Sequence, residues 1–394
     1  MDIATTLKKL IAVEESQETV VTLTLDLAGS GKLPAETRVF LKKEFGSNLA
    51  SEARPEKVRS ALRKIARRVM KFVELEIDPG SKGLYLVAGR EAWIPLELKV
   101  PLRNFVTVGT HAYLPPLLAA EARHPRAYLV EANAGEAILT ELYLGSAQVV
   151  QTIGGGLRKE AQERIRTSRS KDHLSTGPGR GGSARDREEQ RKAESRRGLL
   201  HQAADAVKEL HGSRPAEAVY LAGPEDAFGD FASRLSPELK GRAMALGARG
   251  GNDLERALRE LKVRVAGRLE REMLEFHERR AQGLQAALGP GDVLDRLFSG
   301  QVERVYLDEY DPVPGVHCTG CGAREPGLRP RCPFCSLDVV PTSITQDVVT
   351  QGRTHPPLDV TFVGHNAGWL RDLDGMAALL STRGAPRRTT PALK

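Results

Sequence analysis

Four cysteines constrain this chain more than any other feature. They form two Cys-x-x-Cys pairs, separated by ten residues, in the glycine- and proline-rich stretch CTGCGAREPGLRPRCPFC. This spacing is typical of a closed tetrahedral site of four thiolates, for which zinc is the usual structural ion. An iron–sulfur cluster is the minor alternative. We therefore predict a structural Zn²⁺ site in a small ribbon, with the ligands Cys318, Cys321, Cys332 and Cys335.

Composition excludes several other classes of protein. The 394 residues suggest two or three domains. No apolar run approaches the roughly 18 residues of a membrane helix, and the start MDIATTLKKLIAVEES turns polar too soon for a secretion signal. Four clustered cysteines are no disulfide framework for a chain of this size. We expect a cytoplasmic protein without a membrane partner.

The positive charge is concentrated in one segment. The net charge is +7, and residues 157–198 hold 13 Lys/Arg against 7 Asp/Glu, a difference of +6. A focused positive field favours a polyanionic partner. The same segment contains TGPGRGGSARDREEQRK, in which glycines alternate with arginines before a charged helix. Such a stretch is either a linker or a backbone that must pass close to a charged surface.

Periodicity predicts an α/β protein with three domains. In the first, residues 1–123, an opening helix and the alternating strand VVTLTLDL precede a basic helix that starts near Pro55, with further strands at GLYLVAG and FVTVG. In the second, residues 124–285, RAYLVEAN and GEAILTELYLG form a hairpin, followed by the glycine–arginine insertion, a helix over residues 185–211 and the strand AVYLAG.

The third predicted domain covers residues 286–384. It contains a helix at GDVLDRLFSG, a strand at QVERVYLDE, the cysteine ribbon, a strand at LDVTFVG and a closing helix at DGMAALLST. The last residues, 385–394, are expected to be a disordered tail.

Taken together, these motifs resemble the class-1 peptide chain release factor family of archaea and eukaryotes, in a divergent bacterial form. The third domain carries the resemblance best, because GMAALL at 375–380 resembles the family's closing Gly-Ile-Ala-Ala-Leu-Leu and follows the four cysteines. The resemblance implies a mixed α/β decoding domain, a ribonuclease H-like α/β middle domain with the glycine–arginine loop, and an α/β C-terminal domain with a zinc ribbon. That third domain would dock a translational GTPase such as elongation factor Tu.

The resemblance also assigns the glycine–arginine segment to the peptidyl transferase centre. Its counterpart in the family is Gly-Arg-Gly-Gly-Gln, and the residues here are Gly179, Arg180, Gly181, Gly182 and Ser183. Ser183 stands in place of the catalytic glutamine, or that glutamine is deleted. No catalytic residue is therefore assigned, although a backbone amide could still position water. Residues expected to contact ribosomal RNA follow on the next helix: Arg185, Arg187, Arg191 and Lys192.

Both elements that read stop codons in the family are altered. The family motif Asn-Ile-Lys-Ser corresponds here to Asn48, Leu49, Ala50 and Ser51, without the lysine. A chance helix-cap sequence is the alternative interpretation of this tetrapeptide. The family's Tyr-x-Cys-x-x-x-Phe falls on Val106, Val108 and Ala112. This chain is therefore not expected to read stop codons.

Three functions follow from the resemblance. The first is a ribosome-binding factor, a monomer off the ribosome, that occupies the A site and contacts the RNA of both subunits during hibernation or protection. The second is an enzyme, a rescue or release factor that hydrolyses peptidyl-tRNA on the ribosome. The third is a sensor of stalled ribosomes that splits the subunits with a partner. An RNA-binding protein or nuclease acting off the ribosome remains a fourth interpretation.

Overall fold

The computed structural model describes residues 6, 9–10, 19–27, 33–50, 55–133, 135–154, 184–224, 226–247, 252–283, 286–354, 358–364 and 367–381. These residues group into two compact units. Unit 1 combines Met1–Ala122 with Ala266–Lys394, and unit 2 is Arg123–Val265. Most of the predicted opening helix, the glycine–arginine segment and the tail lie outside the described residues.

The first sheet of unit 1 is built around the predicted strand β1 (Val20–Asp26). Its order is β3-β2-β1-β4, and every neighbouring pair is antiparallel. The other three strands are β2 (Gly83–Ala88), β3 (Trp93–Leu98) and β4 (Phe105–Gly109). The predicted strands at VVTLTLDL, GLYLVAG and FVTVG are confirmed.

The alternation of β1 separates two buried faces. Val21, Leu23 and Leu25 enter the apolar core beneath the helices of this lobe. The opposite face carries Thr22 and Thr24, which are polar but also buried. Thr22 Oγ1 accepts a hydrogen bond from the Tyr113 amide at 2.9 Å. The Thr24 hydroxyl donates to the Arg103 carbonyl at 2.6 Å. Both of these buried threonine hydroxyls therefore have a hydrogen-bond partner, as burial of a polar group requires.

Two helices cover the apolar face of this sheet, α1 (Ala35–Ala50) and α2 (Glu56–Leu75). Helix α2 is the predicted basic helix, and Pro55 is its N-cap residue. Its predicted apolar face is confirmed, since Leu62, Ile65, Val69 and Phe72 are buried. Val58, at the start of that face, is only partly buried. Most of the exposed side chains of α2 are charged.

Several elements of the structure are missing from the sequence prediction, among them α1, β3 and β7 (Ser146–Gly154). Helix α1 has no clear apolar period, and its Val39 is 65% exposed. Strand β3 contains Pro95, which is tolerated because β3 is an edge strand. Strand β7 is another edge strand with mostly exposed residues. Edge strands carry a weak burial signal, because half or more of their surface faces solvent.

Unit 2 contains a five-stranded sheet in the order β7-β6-β5-β8-β9. Strand β5 (Ala127–Ala132) pairs antiparallel with β6 (Glu136–Tyr143), which confirms the predicted hairpin. It pairs parallel with β8 (Ala218–Ala222), and β8 pairs parallel with β9 (Ala243–Ala245). Only β6 runs against the others. This is the ribonuclease H-like arrangement expected from the resemblance.

Helices lie on both faces of this sheet, as the α/β pattern predicts. Helix α4 (Ala184–Ser213) packs Leu200, Ala203 and Val207 into one core cluster. The segment 253–265 of helix α7 (Asp253–Ala281) packs Ala257 and Leu261 into the other. The remaining helices of the described chain up to this point are short: α3 (Pro115–Arg123), α5 (Ala227–Arg234) and α6 (Pro237–Arg242).

A second sheet of unit 1 has the order β10-β16-β11-β15. The bounds of these strands are Ala286–Leu288 for β10, Val302–Leu307 for β11, Asp359–Phe362 for β15 and Met376–Leu380 for β16. Helix α8 (Gly289–Phe298) confirms the helix predicted at GDVLDRLFSG. A short helix, α10 (Gly368–Arg371), precedes β16.

The predicted closing helix at DGMAALLST is wrong, because Met376–Leu380 is a strand. It pairs antiparallel with β10 on one side and β11 on the other, and all five residues are buried. A strand covered on both faces shows no alternation, so a short apolar run does not distinguish it from a buried helix. Asp374 (φ 52°) and Gly375 (φ 78°) make the turn before it.

The ribbon forms a separate three-stranded antiparallel sheet in the order β13-β12-β14. These strands are β12 (Pro314–Cys318), β13 (Arg324–Pro326) and β14 (Val339–Ser343), followed by helix α9 (Ile344–Thr354). A Cβ added to Gly315 would lie 2.4 Å from Ile344 Cδ1. The close packing of β12 against α9 therefore requires glycine here.

Segments distant in sequence contact each other within unit 1. The Leu114 amide donates to Gln346 Oε1 at 2.8 Å, and both residues are buried. The rings of Phe105 and Tyr310 meet edge to face, with centroids 5.7 Å apart. The first and third predicted domains thus fall in one compact unit, each with its own sheet. The division into three domains stays a prediction.

Replacing Gln346 by leucine is expected to lower the free energy of unfolding of unit 1. The change leaves the buried Leu114 amide without an acceptor, at a cost of roughly 1–3 kcal/mol. Both tryptophans, Trp93 and Trp369, lie in unit 1, so denaturant unfolding followed by tryptophan fluorescence reports on this unit. Gln301→Leu is the matched control, because Gln301 Oε1 accepts only an exposed bond from Arg296. Equal stability of the two variants would contradict the assignment.

Candidate metal centre and basic surfaces

The two Cys-x-x-Cys pairs form turns with the same hydrogen bonds. In the first, the Cys318 amide donates to the Ala323 carbonyl at 2.8 Å, and the Gly322 amide donates to the Cys318 carbonyl at 2.9 Å. In the second, the Cys332 amide donates to the Leu337 carbonyl at 2.8 Å, and the Ser336 amide donates back to Cys332 at 3.0 Å. The residue after each pair is left-handed, with φ 73° at Gly322 and 62° at Ser336.

These turns bring all four predicted ligands together. The four Sγ atoms lie within 4.8 Å of one another. Cys318 and Cys335 are 3.4 Å apart and Cys321 and Cys332 3.5 Å apart, measured between sulfurs. A disulfide bond would need about 2.05 Å, whereas a tetrahedron with metal–sulfur bonds of about 2.3 Å has edges of about 3.8 Å. The cluster can therefore hold one metal ion.

The local electrostatics favour the thiolate at Cys318, whereas hydrogen bonds with neighbouring sulfurs raise the pKa of Cys321 to about 12 and also raise the pKa of Cys335. The pKa of Cys318 is lowered to about 6, first because the Cys321 amide donates a hydrogen bond to its sulfur. Thiolate is the form that binds metals. The two turns also pack on each other, since a Cβ on Gly320 would lie 2.3 Å from Leu337 Cδ1. With four protein ligands no coordination position remains for a substrate.

An ion pair attaches the ribbon to the following helix. Arg324 Nε on β13 lies 3.2 Å from Asp347 Oδ2 on α9. Burial raises the pKa of Asp347, and Arg324 opposes that effect. Burial also lowers the pKa of His317. These residues border a cavity of about 770 Å³ with His111 and Thr110 from the end of β4.

The exposed side of α2 is strongly basic. Lys57, Lys64 and Lys71 follow one another at seven-residue intervals, so they lie along one stripe of the helix. All three are exposed and have no ion-pair partner within the described residues. Glu56 instead pairs with Arg59 at 2.7 Å and with Arg63 at 3.1 Å. The lysine stripe is therefore available to a polyanion.

An aromatic residue outside the predicted elements supports this helix. The Arg68 guanidinium lies over the Trp93 ring, 4.0 Å from its centroid. The Phe72 ring meets Trp93 edge to face at 5.5 Å. Trp93 thus joins the basic side of α2 to its buried side. Only the fold reveals this contact, because β3 lies outside the predicted elements.

Other predicted site residues lie partly or wholly outside the described structure. Residues 179–183 are outside it, in the connection between the end of β7 and the start of α4. Arg185, Arg187, Arg191 and Lys192 lie on the first turns of α4, where only the backbone is described. The backbone of residues 48–50 forms the end of α1, and Ser51 is outside the described residues. These assignments stay predictions.

The remaining decoding positions are described. Val106 and Val108 lie on β4 and are partly buried against the core of the first lobe, whereas Ala112 is almost fully buried. None of the three carries a polar side chain. Among the described helices, none has the length and apolar character needed to cross a membrane.

These features define a class of protein: a mixed α/β chain with a ribonuclease H-like unit, a basic lobe and a four-cysteine ribbon. Residues 113–266 match the model of bacterial archaeo-eukaryotic release factor family 10. The resemblance inferred from the sequence is thereby confirmed, and this segment is similar to that release factor family. No curated protein matches the chain in sequence.

The chain is also similar to solved structures at low identity. An archaeal translation termination factor, aRF1, is 15% identical, with 95% of this chain and 97% of that chain covered and a TM-score of 0.24. Dom34 of S. cerevisiae, a translation termination-like factor that interacts with Hbs1, is 13% identical, with 75% and 73% covered and a TM-score of 0.40. Archaeal Pelota, in a ribosome-bound model with ABCE1, is 13% identical, with 95% and 94% covered and a TM-score of 0.38.

Loss of one thiolate is expected to release the metal and unfold the ribbon. The parent chain is expected to bind about one metal ion. Cys332→Ser should bind clearly less, because three thiolates cannot close the site. Elemental analysis of the purified full-length chains measures this. Ser336→Gly is the control, since glycine tolerates φ 62° and leaves every ligand in place. Equal metal content in parent and Cys332→Ser would refute the site.

Proposed function

We propose that this chain is a ribosome-binding translation factor that occupies the A site between the decoding and peptidyl transferase centres without reading stop codons. Its role would be hibernation or protection of the ribosome. One observation carries the proposal: the release factor match over residues 113–266 includes the glycine–arginine segment. In the resemblance, Ser183 stands in place of the glutamine, or that glutamine is deleted. On this proposal the domain that carries the loop is retained, whereas the side chain for hydrolysis is missing.

The chemistry of the loop supports binding rather than catalysis. Glycines let the backbone approach crowded RNA, and Arg180 supplies a charge for phosphate. The family's glutamine helps to place water against the peptidyl ester. A serine is shorter and cannot reach the same point, so that positioning is lost. Hydrolysis of peptidyl-tRNA is the competing proposal, because a backbone amide near Ser183 could still orient water.

The basic lobe supports a contact with RNA in the decoding region. The exposed stripe of Lys57, Lys64 and Lys71 offers RNA phosphates three positive charges that have no ion-pair partner among the described residues. The altered positions Ala50, Val106 and Val108 lack the side chains that read a codon in the family. Sequence-independent phosphate contacts then provide the affinity.

We further propose zinc as the ion in the ribbon, because four thiolates in a tetrahedral cluster suit it. Zinc there would hold the two turns together and take no part in chemistry. The C-terminal part of unit 1 is proposed to dock a translational GTPase such as elongation factor Tu. The ribosome, with the RNA of both subunits, is the principal partner in this proposal.

Purified protein is expected to sediment with vacant 70S ribosomes and to release no peptide from ribosomes loaded with labelled peptidyl-tRNA. Binding and release are measured in the same tubes, by co-sedimentation and by free labelled peptide. Release that disappears in the Gly181→Ala, Gly182→Ala variant would establish the hydrolytic alternative. The absence of binding to either kind of ribosome would overturn the proposal.

Removal of the lysine stripe is expected to weaken ribosome binding roughly tenfold or more and to flatten its salt dependence. Each phosphate contact contributes about 0.7–0.9 to the slope of log affinity against log salt concentration, so the triple variant Lys57→Ala, Lys64→Ala, Lys71→Ala should lose about 2. The matched control removes the same charge at other exposed lysines, with Lys82→Ala, Lys240→Ala and Lys262→Ala. Equal effects of both triples would mean that net charge alone governs binding.

A further inference from the structure

The second cysteine turn presents exposed apolar and basic side chains that neither the metal site nor the proposed function uses. Leu328 is 73% exposed, Phe334 71% and Leu337 54%. Arg329 and Arg331 are also exposed. We name these five residues the knuckle surface. Of residues 327–338, Cys332 alone is buried, so almost every side chain in this segment faces solvent.

The backbone beneath Phe334 is held in place on both sides. Phe334 stands between Cys332 and Cys335, whose sulfurs belong to the metal cluster. The Cys332 amide and the Leu337 carbonyl close the turn at 2.8 Å. Leu337 in turn packs against Gly320 of the first turn. The ring is therefore displayed on a fixed support, which reduces the entropy lost when a ligand binds.

The arginines of the ribbon differ in their partners. Arg324 is paired with Asp347 at 3.2 Å and serves the structure. Arg329 and Arg331 have no ion-pair partner in the part of the chain that the structure describes. Asp338 is the one acidic residue between Leu328 and Val340. The knuckle surface thus combines an aromatic face with two available guanidinium groups and little opposing charge.

We propose that the knuckle surface binds single-stranded RNA, with one base stacked on Phe334 and adjacent phosphates bound by Arg329 and Arg331. Unstacked bases pair with exposed aromatic rings in this way, and arginine binds phosphate through its planar fork. A stable protein interface needs roughly 20–30 residues and about 800 Å² on each side. The segment Leu328–Asp338 is much smaller, which favours a nucleotide over a protein partner.

This inference goes beyond the proposed function, because it concerns free single strands and no ribosome is needed to test it. The full-length, metal-loaded chain is mixed with fluorescein-labelled oligouridylate, and affinity is measured by fluorescence anisotropy. Phe334→Ala is expected to weaken binding roughly tenfold, the size typical of one stacked base. Phe334→Tyr should retain most of the affinity, since the ring remains.

Matched variants separate this surface from the rest of the chain. Phe298→Ala removes another exposed phenylalanine of unit 1, which is 49% exposed, and should leave RNA affinity unchanged. Arg329→Ala with Arg331→Ala should lower the salt slope by about 1.4, at about 0.7 per phosphate contact on a single strand. Arg90→Ala with Arg280→Ala makes the same change of charge at other exposed sites. Metal content, measured in every variant, identifies any that fail to fold.

A tryptophan at the site gives a local signal. Phe334→Trp is expected to show quenched emission when RNA is added, relative to the parent, whose Trp93 and Trp369 supply the background. Three results would overturn the proposal: unchanged affinity in Phe334→Ala, equal losses in Phe298→Ala, or unquenched tryptophan at saturating RNA. A response of Phe334→Trp to RNA-free ribosomal proteins but not to RNA would show that the surface binds protein instead.

Discussion

Unit 1 depends on a hydrogen bond between parts of the chain that are far apart in sequence. The Leu114 amide, at the start of α3, is completely buried and donates to Gln346 on α9. Nearby, the Tyr113 amide donates to Thr22 on β1. A buried amide must find an acceptor, and here the acceptors come from two different lobes. The same segment therefore closes the polar face of the first sheet and joins it to the C-terminal part.

The ribbon solves a different stability problem. Its second turn is almost entirely exposed, so burial of apolar side chains contributes little there. Instead of an apolar core, the ribbon has four sulfurs within 4.8 Å of one another that can bind one metal ion. The repeated hydrogen bonds of the two turns hold these sulfurs in position. Arg324, Asp347 and the close approach at Gly315 then attach the ribbon to α9. A small lobe held together by a metal site and these contacts can expose Phe334 without unfolding.

The two basic regions differ in the elements that carry their charge. The lysine stripe lies on α2, whose opposite face is anchored by Leu62, Ile65 and Val69 in the core. The glycine–arginine segment connects the edge strand β7 to α4 of the ribonuclease H-like unit. Rigid elements thus flank a segment rich in glycine, an arrangement that suits a loop with a functional role. The match to a release factor family covers this unit.

The sequence by itself determined the features that depend on local spacing. The two Cys-x-x-Cys pairs predicted the metal cluster, because each turn is set by a few adjacent residues. The 3.6-residue period of α2 and the alternation of β1 predicted their buried faces, because one side of each meets a core. The roles of the glycine–arginine segment and of the decoding positions rest on the resemblance alone, and they stay predictions. Only the tertiary structure decided that MAALL is a central strand, that Pro95 lies in an edge strand, and that Gln346 accepts from Leu114. Those outcomes depend on which neighbours cover each segment, and contacts between distant residues leave no periodic signal in the chain.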